Sequence, residues 1–199
     1  MKQIRAWQLI ACFGMTVANS YADLITFTHT GIGSGTIGGS PFFNASFRIT
    51  ELADTTNRYS FVGGFSINDI TASISIAGVG NFQFTQGTRT FVNNALSVVG
   101  FSRGDLEGRI DLYNGPTNAV FASWDMLTSI GPVTGPTRLL QWSFFPTVST
   151  DGGVLIFNDS FTVGTFQATI VPEPASCLLT TIGLIGISVI TRRRTAARP

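Results

Sequence analysis

Phe43-Asn44-Ala45-Ser46-Phe47-Arg48-Ile49-Thr50 sets its apolar residues on odd positions and its polar ones on even positions. Ile70-Thr71-Ala72-Ser73-Ile74-Ser75-Ile76 repeats the two-residue period with the even positions apolar. Successive side chains of a strand point to opposite faces, so this period lays one face on a core and leaves the other in water, as in an antiparallel sheet. Working outward, Leu24–Thr30, Tyr59–Ser66, Phe82–Thr85, Arg89–Val99, Arg109–Tyr113, Ala119–Trp124, Leu139–Phe145, Val154–Phe157 and Phe161–Ile170 read alike. They are separated by turn formers such as Asn114-Gly115-Pro116, Gly131-Pro132, Gly135-Pro136 and Asp151-Gly152-Gly153. No sustained 3.6-residue apolar stripe interrupts them between the chain ends. The expected fold is all-β, an antiparallel β-sandwich of jelly-roll type with about ten or eleven strands, and an up-and-down barrel is the second architecture. The glycine-rich run Gly31–Gly39 lacks the lysine and the helix of a phosphate loop and reads as a flexible hairpin connection.

Charge and cysteine content narrow the chemistry. The 199 residues carry 12 basic and 11 acidic side chains, and charged residues make up only 12%, about half the usual share of roughly 25%. Half of the basic residues sit at the chain ends. Residues 23–170 hold 6 arginines against 10 carboxylates, a net charge of −4, which argues against nucleic acid as a partner. One histidine and two distant cysteines, Cys12 and Cys177, supply neither a zinc cluster nor a disulfide framework, so no cofactor or metal is expected.

The ends have their own logic. Lys2 and Arg5 precede an apolar stretch, Ala6–Ala18, and then Ser20-Tyr21-Ala22, the layout of a secretory signal cleaved between Ala22 and Asp23 by signal peptidase. At the other end Val171-Pro172-Glu173-Pro174 is followed by the uncharged Ala175–Thr191 and then by Arg192, Arg193 and Arg194. Seventeen residues at 1.5 Å each reach about 25 Å as a helix, the lower limit for crossing a bilayer core. The arginines would stay cytoplasmic as a stop-transfer element. The expected organisation is a signal peptide over 1–22, an exported β-rich domain over 23–170 and a C-terminal segment over 171–199. That segment divides into the motif 171–174, a transmembrane helix 175–191 and a basic tail 192–199.

This ending resembles the PEP-CTERM sorting signal of Gram-negative bacteria. The resemblance implies that Val171, Pro172, Glu173 and Pro174 form the sorting motif, read by a membrane enzyme called exosortase, and that the anchor is temporary. The protein would sit in the inner membrane with a periplasmic domain, be cut near the motif, and pass to the cell surface or the exopolysaccharide matrix. Extracellular polysaccharide is then a candidate partner. The resemblance spans about the last 28 residues and says nothing of the middle.

Candidate chemistry in the middle is sparse, and a structural or adhesive, non-enzymatic role is expected. His29 shares parity with Ile25 and Phe27 and reads as a partly buried, hydrogen-bonded strand residue. Asp105, Glu107 and Asp111 alternate with Arg103 and Arg109; paired carboxylates serve glycosidases, yet shared parity places these on one solvated face. Asp151, Asn158 and Asp159 could supply calcium ligands but their spacing matches no EF-hand string. Trp124, Trp142 and Tyr113 would stack on sugar rings only if exposed, and core packing is the cheaper use of such large side chains. A glycan-binding module and a secreted carbohydrate-active enzyme are the alternatives.

Overall fold

The computed structural model describes residues 23–104, 111–139 and 148–171. They form β1 (Leu24–Ile37), β2 (Ser40–Asp54), β3 (Tyr59–Phe61), β4 (Gly64–Ile76), β5 (Gly80–Gln83), β6 (Thr88–Asn93) and β7 (Val98–Arg103). The later strands are β8 (Asp111–Thr117), β9 (Ile130–Leu139), β10 (Val148–Thr150), β11 (Gly153–Phe157) and β12 (Ser160–Val171), with short 3-10 turns at Thr55–Asn57 and Ala119–Ala122. The fold is all-β and antiparallel.

The architecture is a barrel and not the expected sandwich. Hydrogen bonding runs β1-β12-β9-β8-β7-β6-β4-β2, and the long β1–β2 hairpin joins the two ends of that path into an eight-stranded barrel. Each barrel strand neighbours the barrel strand before it in the chain, so the topology is up-and-down. Half-buried strands alternate identically in sandwiches and barrels. What separates the two is the pairing of β1 with β12, from Leu24↔Val171 to Thr30↔Thr165, a contact between the ends of the domain that no local pattern encodes.

Above the barrel the shared strands change partners. β1 leaves β12 after Thr30 and joins β11 at Gly35, while β4 pairs with β6 through Gly64–Asn68 and with β5 through Ser73–Ile76. A bridge at Phe84↔Thr150 and the Thr85 N–H donating to the Ser149 carbonyl at 3.1 Å tie β5 to β10. The upper strands thereby cover the top of the barrel.

Two apolar clusters fill the interior, as eight strands leave room only for side chains or one small ligand. The upper cluster gathers Phe42, Phe47, Ile49, Ile74, Phe101, Tyr113, Leu139, Leu155 and Phe157. The lower one gathers Ile25, Phe27, Ile67, Val92, Phe166 and Ala168, closed from below by Phe121, Trp124 and Met126 of the β8–β9 connection.

Several local readings change, each for an identifiable reason. Gly31–Ile37 continues β1, and only Gly38-Gly39, both at positive φ (54° and 84°), makes the turn that glycine alone adopts without strain. Arg89–Val99 is a hairpin, with its turn over residues 94–97. Ala119–Trp124 is no strand but a 3-10 turn started by the Asn118 side chain, which accepts from the Val120 N–H at 3.1 Å. β9 runs through Gly131-Pro132 and Gly135-Pro136 because it bonds mainly to β12; β8 meets it only at Tyr113↔Leu139 and Asn114↔Arg138, so the missing proline N–H groups cost little there. Bulges turn two expected core residues outward. Register slips at Gly33/Gly35 and Leu52/Ala53 leave Phe43 and Ile70 exposed while Phe42 and Asp69 take the inner face.

Among the described residues no helix is long and apolar enough to cross a membrane. The signal segment, with Ala22, and the segment 172–199, with Pro172, Glu173, Pro174, Arg192, Arg193 and Arg194, lie outside the described residues.

Candidate functional site: a polar layer inside the barrel

Between the two apolar clusters lies a layer of polar side chains. The odd parity that sends Ile25 and Phe27 inward carries His29 with them, and the parity of Phe47 and Ile49 carries Glu51. In register His29 faces Ile49 and Phe27 faces Glu51, so His29 and Glu51 are diagonal neighbours on one face. Both are fully buried. His29 Nε2 stands 3.8 Å from Glu51 Oε1, too far for a hydrogen bond, and none of the four polar side-chain atoms of the two residues has a partner. The ring of His29 packs instead on Tyr113 and Phe166, with centroids 5.1 and 4.8 Å away.

Asp69 enters the same layer through the β4 bulge. It is half-buried as a residue, yet its Oδ2 is out of solvent and unpartnered, while Oδ1 accepts from Thr90 Oγ1 at 3.2 Å. A cleft of about 280 Å³ lined by Asp69, Ala72, Phe84, Gln86 and Thr88 brings the surface close to it. Tyr113 closes the layer at the top, its hydroxyl donating to the Thr30 carbonyl at 3.2 Å. Gly164 makes that reach possible, because a Cβ there would collide with the Tyr113 and Thr137 hydroxyls.

Burial sets the charge state. Desolvation lowers the His29 pKa to about 3, slightly opposed by the backbone near Gly115. It raises Glu51 well above the usual carboxylate range, and the neighbouring Asp69 adds to the rise. Asp69 is lifted by burial to about 7, against the hydrogen bonds from Thr88 and Thr90. Tyr113 is raised as well, mainly by burial. Both shifts favour the uncharged forms of His29 and Glu51, the cheaper arrangement where a buried ion pair would have no further hydrogen bonds to offset its desolvation.

The other expected residues fall as follows. His29 is fully and not partly buried, which corrects the expectation. Asp111 accepts from Ser102 Oγ at 2.9 Å; Asp105 and Glu107 lie outside the described residues. Asp159 binds Arg138 through two hydrogen bonds of 3.1 and 2.8 Å, and Asp151 accepts from the Gln83 N–H at 2.9 Å. Among the described residues no three His, Cys, Asp or Glu side chains are grouped to hold a metal ion. Trp124 is buried with its Nε1 donating to the Thr128 carbonyl at 3.0 Å, and Tyr113 is buried too, so neither offers a face to a sugar; Trp142 lies outside the described residues. Asp23 precedes β1, its carbonyl accepting from the Thr55 N–H at 3.1 Å, and Val171 ends β12. The sequence reading does not single out Glu51 and Asp69: Glu51 continues the odd register of Phe47 and Ile49 one step beyond Thr50, a local signal, whereas Asp69 turns inward only through the β4 bulge. No protein-family model matches the chain, and no curated protein and no solved structure is significantly similar to it.

Proposed function

We propose that the protein is an exported, non-enzymatic cell-envelope or exopolysaccharide-matrix protein of a Gram-negative bacterium, sorted by a PEP-CTERM-like signal and serving a structural or adhesive role. The observation that carries this reading is the order Val171-Pro172-Glu173-Pro174, uncharged Ala175–Thr191, then Arg192-Arg193-Arg194, behind an N-terminal signal. The barrel supports it in two ways. Its first strand starts at Leu24, two residues after Ala22, and its last ends at Val171, next to Pro172, so both cuts fall outside the sheet. Its described residues contain no cysteine, so folding in the periplasm requires no oxidant.

In this reading signal peptidase releases the N-terminus at Asp23, the tail holds the domain on the periplasmic side of the inner membrane, and exosortase cuts near Pro174. The released barrel then resides at the surface or in the matrix, where polysaccharide is its expected neighbour. Intact mass and cell fraction, measured in the native host with and without exosortase, test the reading. Loss of the tail and release to the surface, both dependent on the enzyme, are expected. A chain running from Asp23 to Pro199 that stays in the inner membrane of both strains overturns it.

A further inference from the structure

We infer that the lower rim of the barrel, the end from which the chain leaves toward Pro172, is a bilayer-docking surface that rests on the lipid headgroups. The inference rests on the anchored reading above and adds an orientation and a contact face to it.

Strand directions put the turns after β2, β3, β6 and β8 at the same end as Leu24 and Val171. These turns carry exposed aliphatic tips at Val62, Leu96, Val120 and Leu127, with Val171 beside them; the opposite end exposes Ile32, Phe43, Phe161 and Val163, so it is the position beside the linker, together with these tips, that singles out this rim. The turns are also bound into one platform. Asn94 Nδ2 donates to the Phe121 and Trp124 carbonyls at 2.6 and 2.9 Å, Asn118 N–H to the Ser97 carbonyl at 2.9 Å, Ala95 N–H to the Gly63 carbonyl at 3.2 Å, and Arg58 to the Asp125 carbonyl at 2.9 Å. The apolar tips thus project from a braced surface and not from independent loops.

Distance favours lipid as the occupant. Only Pro172, Glu173 and Pro174 separate Val171 from the uncharged stretch beginning at Ala175. Four Cα steps span at most about 14 Å, whereas a headgroup layer is roughly 5–8 Å thick. An anchored barrel can therefore stand no more than about 9 Å clear of the headgroups, and any slack in the linker brings the rim into contact. The charges at this end are Asp23, Asp54, Asp125 and Arg58, with Arg58 Nη1 3.3 Å from Asp125 Oδ2 and Asp54 accepting from Thr56. Among the described residues this end carries three carboxylates against one guanidinium and no basic cluster, so the contact is apolar insertion at the interface and is not driven by anionic lipid.

The test places an environment-sensitive fluorophore on the full chain with Cys12 and Cys177 replaced by alanine. Labels go to Val62→Cys and Leu96→Cys on the rim and to Phe43→Cys and Val79→Cys at the opposite end. The chain is reconstituted in phosphatidylcholine vesicles carrying nitroxide lipids, with and without phosphatidylglycerol. Quenching at the rim positions should exceed that at the upper positions by about threefold or more, in both lipid mixtures, as for side chains at headgroup depth. A chain that floats with the vesicles but shows equal quenching at all four positions overturns the docking alone. A chain that does not float overturns the anchored reading and the docking with it.

Discussion

His29 and Glu51 stand side by side on the adjacent strands β1 and β2, 3.8 Å apart, both fully buried and with no hydrogen bond between them. The pair makes the stability of the domain depend on pH in a direction unusual for a protein. A carboxyl whose folded pKa is raised stabilises fully below its unfolded pKa and loses that contribution as pH rises toward the folded value; Glu51 and Asp69 are both of this kind, Asp69 from about 4 to about 7. His29, lowered to about 3, does the opposite, its contribution present above pH 6.5 and lost as pH falls. The two raised carboxyls together outweigh the one lowered imidazole, so the layer makes stability fall as pH rises from 5 to 7. Urea unfolding of the full chain should give higher stability at pH 5 than at pH 7, and Glu51→Gln should flatten the slope and stabilise the protein at pH 8. A stability that rises from pH 5 to 7 would mean that the layer is ionised and partnered.

Tyr113 and Gly164 form a second testable unit. Tyr113→Phe removes the donor to the Thr30 carbonyl and should cost about 1 kcal/mol, a typical net worth for one hydrogen bond. Gly164→Ala should cost more, about 1–3 kcal/mol, because its new methyl displaces the Tyr113 and Thr137 hydroxyls from a packed interior. The two substitutions combined should fall short of additivity, since the phenylalanine no longer presents the hydroxyl that the alanine meets. A thermal-unfolding double-mutant cycle reads this directly; strict additivity would place the two residues apart.

How much of this was legible in the sequence depends on the range of the interaction concerned. The parity of Phe47 and Ile49, or of Ile25 and Phe27, is local and decides which face meets the core before any partner is known. Barrel closure was not legible, because the Leu24↔Val171 pairing joins residues at opposite ends of the domain and leaves no mark within either strand. Bulges hid Phe43 and Ile70, whose outward turn comes from register slips against neighbouring strands. The polar layer escaped for a chemical reason. A histidine and a glutamate are read as surface or hydrogen-bonded groups by default, and only the register of flanking apolar residues reveals that each points inward. Prolines misled in β9 because whether a missing N–H matters depends on which edge is paired.

The floor of the barrel should be as sensitive as its middle. Asn94 holds both the Phe121 and the Trp124 carbonyls, and Trp124 packs edge-on against Phe27 and Phe166 at 6.3 and 5.5 Å. Asn94→Ala should therefore cost about 1–3 kcal/mol by leaving two carbonyls unmet, and it should weaken the near-ultraviolet circular dichroism of the aromatic cluster. Trp124→Ala, which also opens a cavity, should cost about 3–5 kcal/mol. Equal, small losses in both would show that the 118–129 segment closes the barrel without bracing it.

The seam between β1 and β12 carries the last prediction. Leu24 through Thr30 pair with Val171 through Thr165, and β12 is also the partner of β9 from Ser160 to Ala168, so β12 is the strand that closes the barrel. A chain that ends at Pro174 keeps every one of these pairs and should unfold at the same urea concentration as the longer chain, as a form cut near the sorting motif must if it is to stay folded after release. A chain that ends at Phe166 loses the pairs of Leu24, Ile25, Thr26, Phe27 and Thr28 and removes Ala168 from the lower cluster. That chain exposes an unpaired β1 edge with Ile25 and Phe27 on its inner side, and it should aggregate or remain unfolded. Comparing the urea midpoints of the two truncations with that of the full chain checks both expectations; a marked loss of stability on ending at Pro174 would show that residues beyond it brace the barrel.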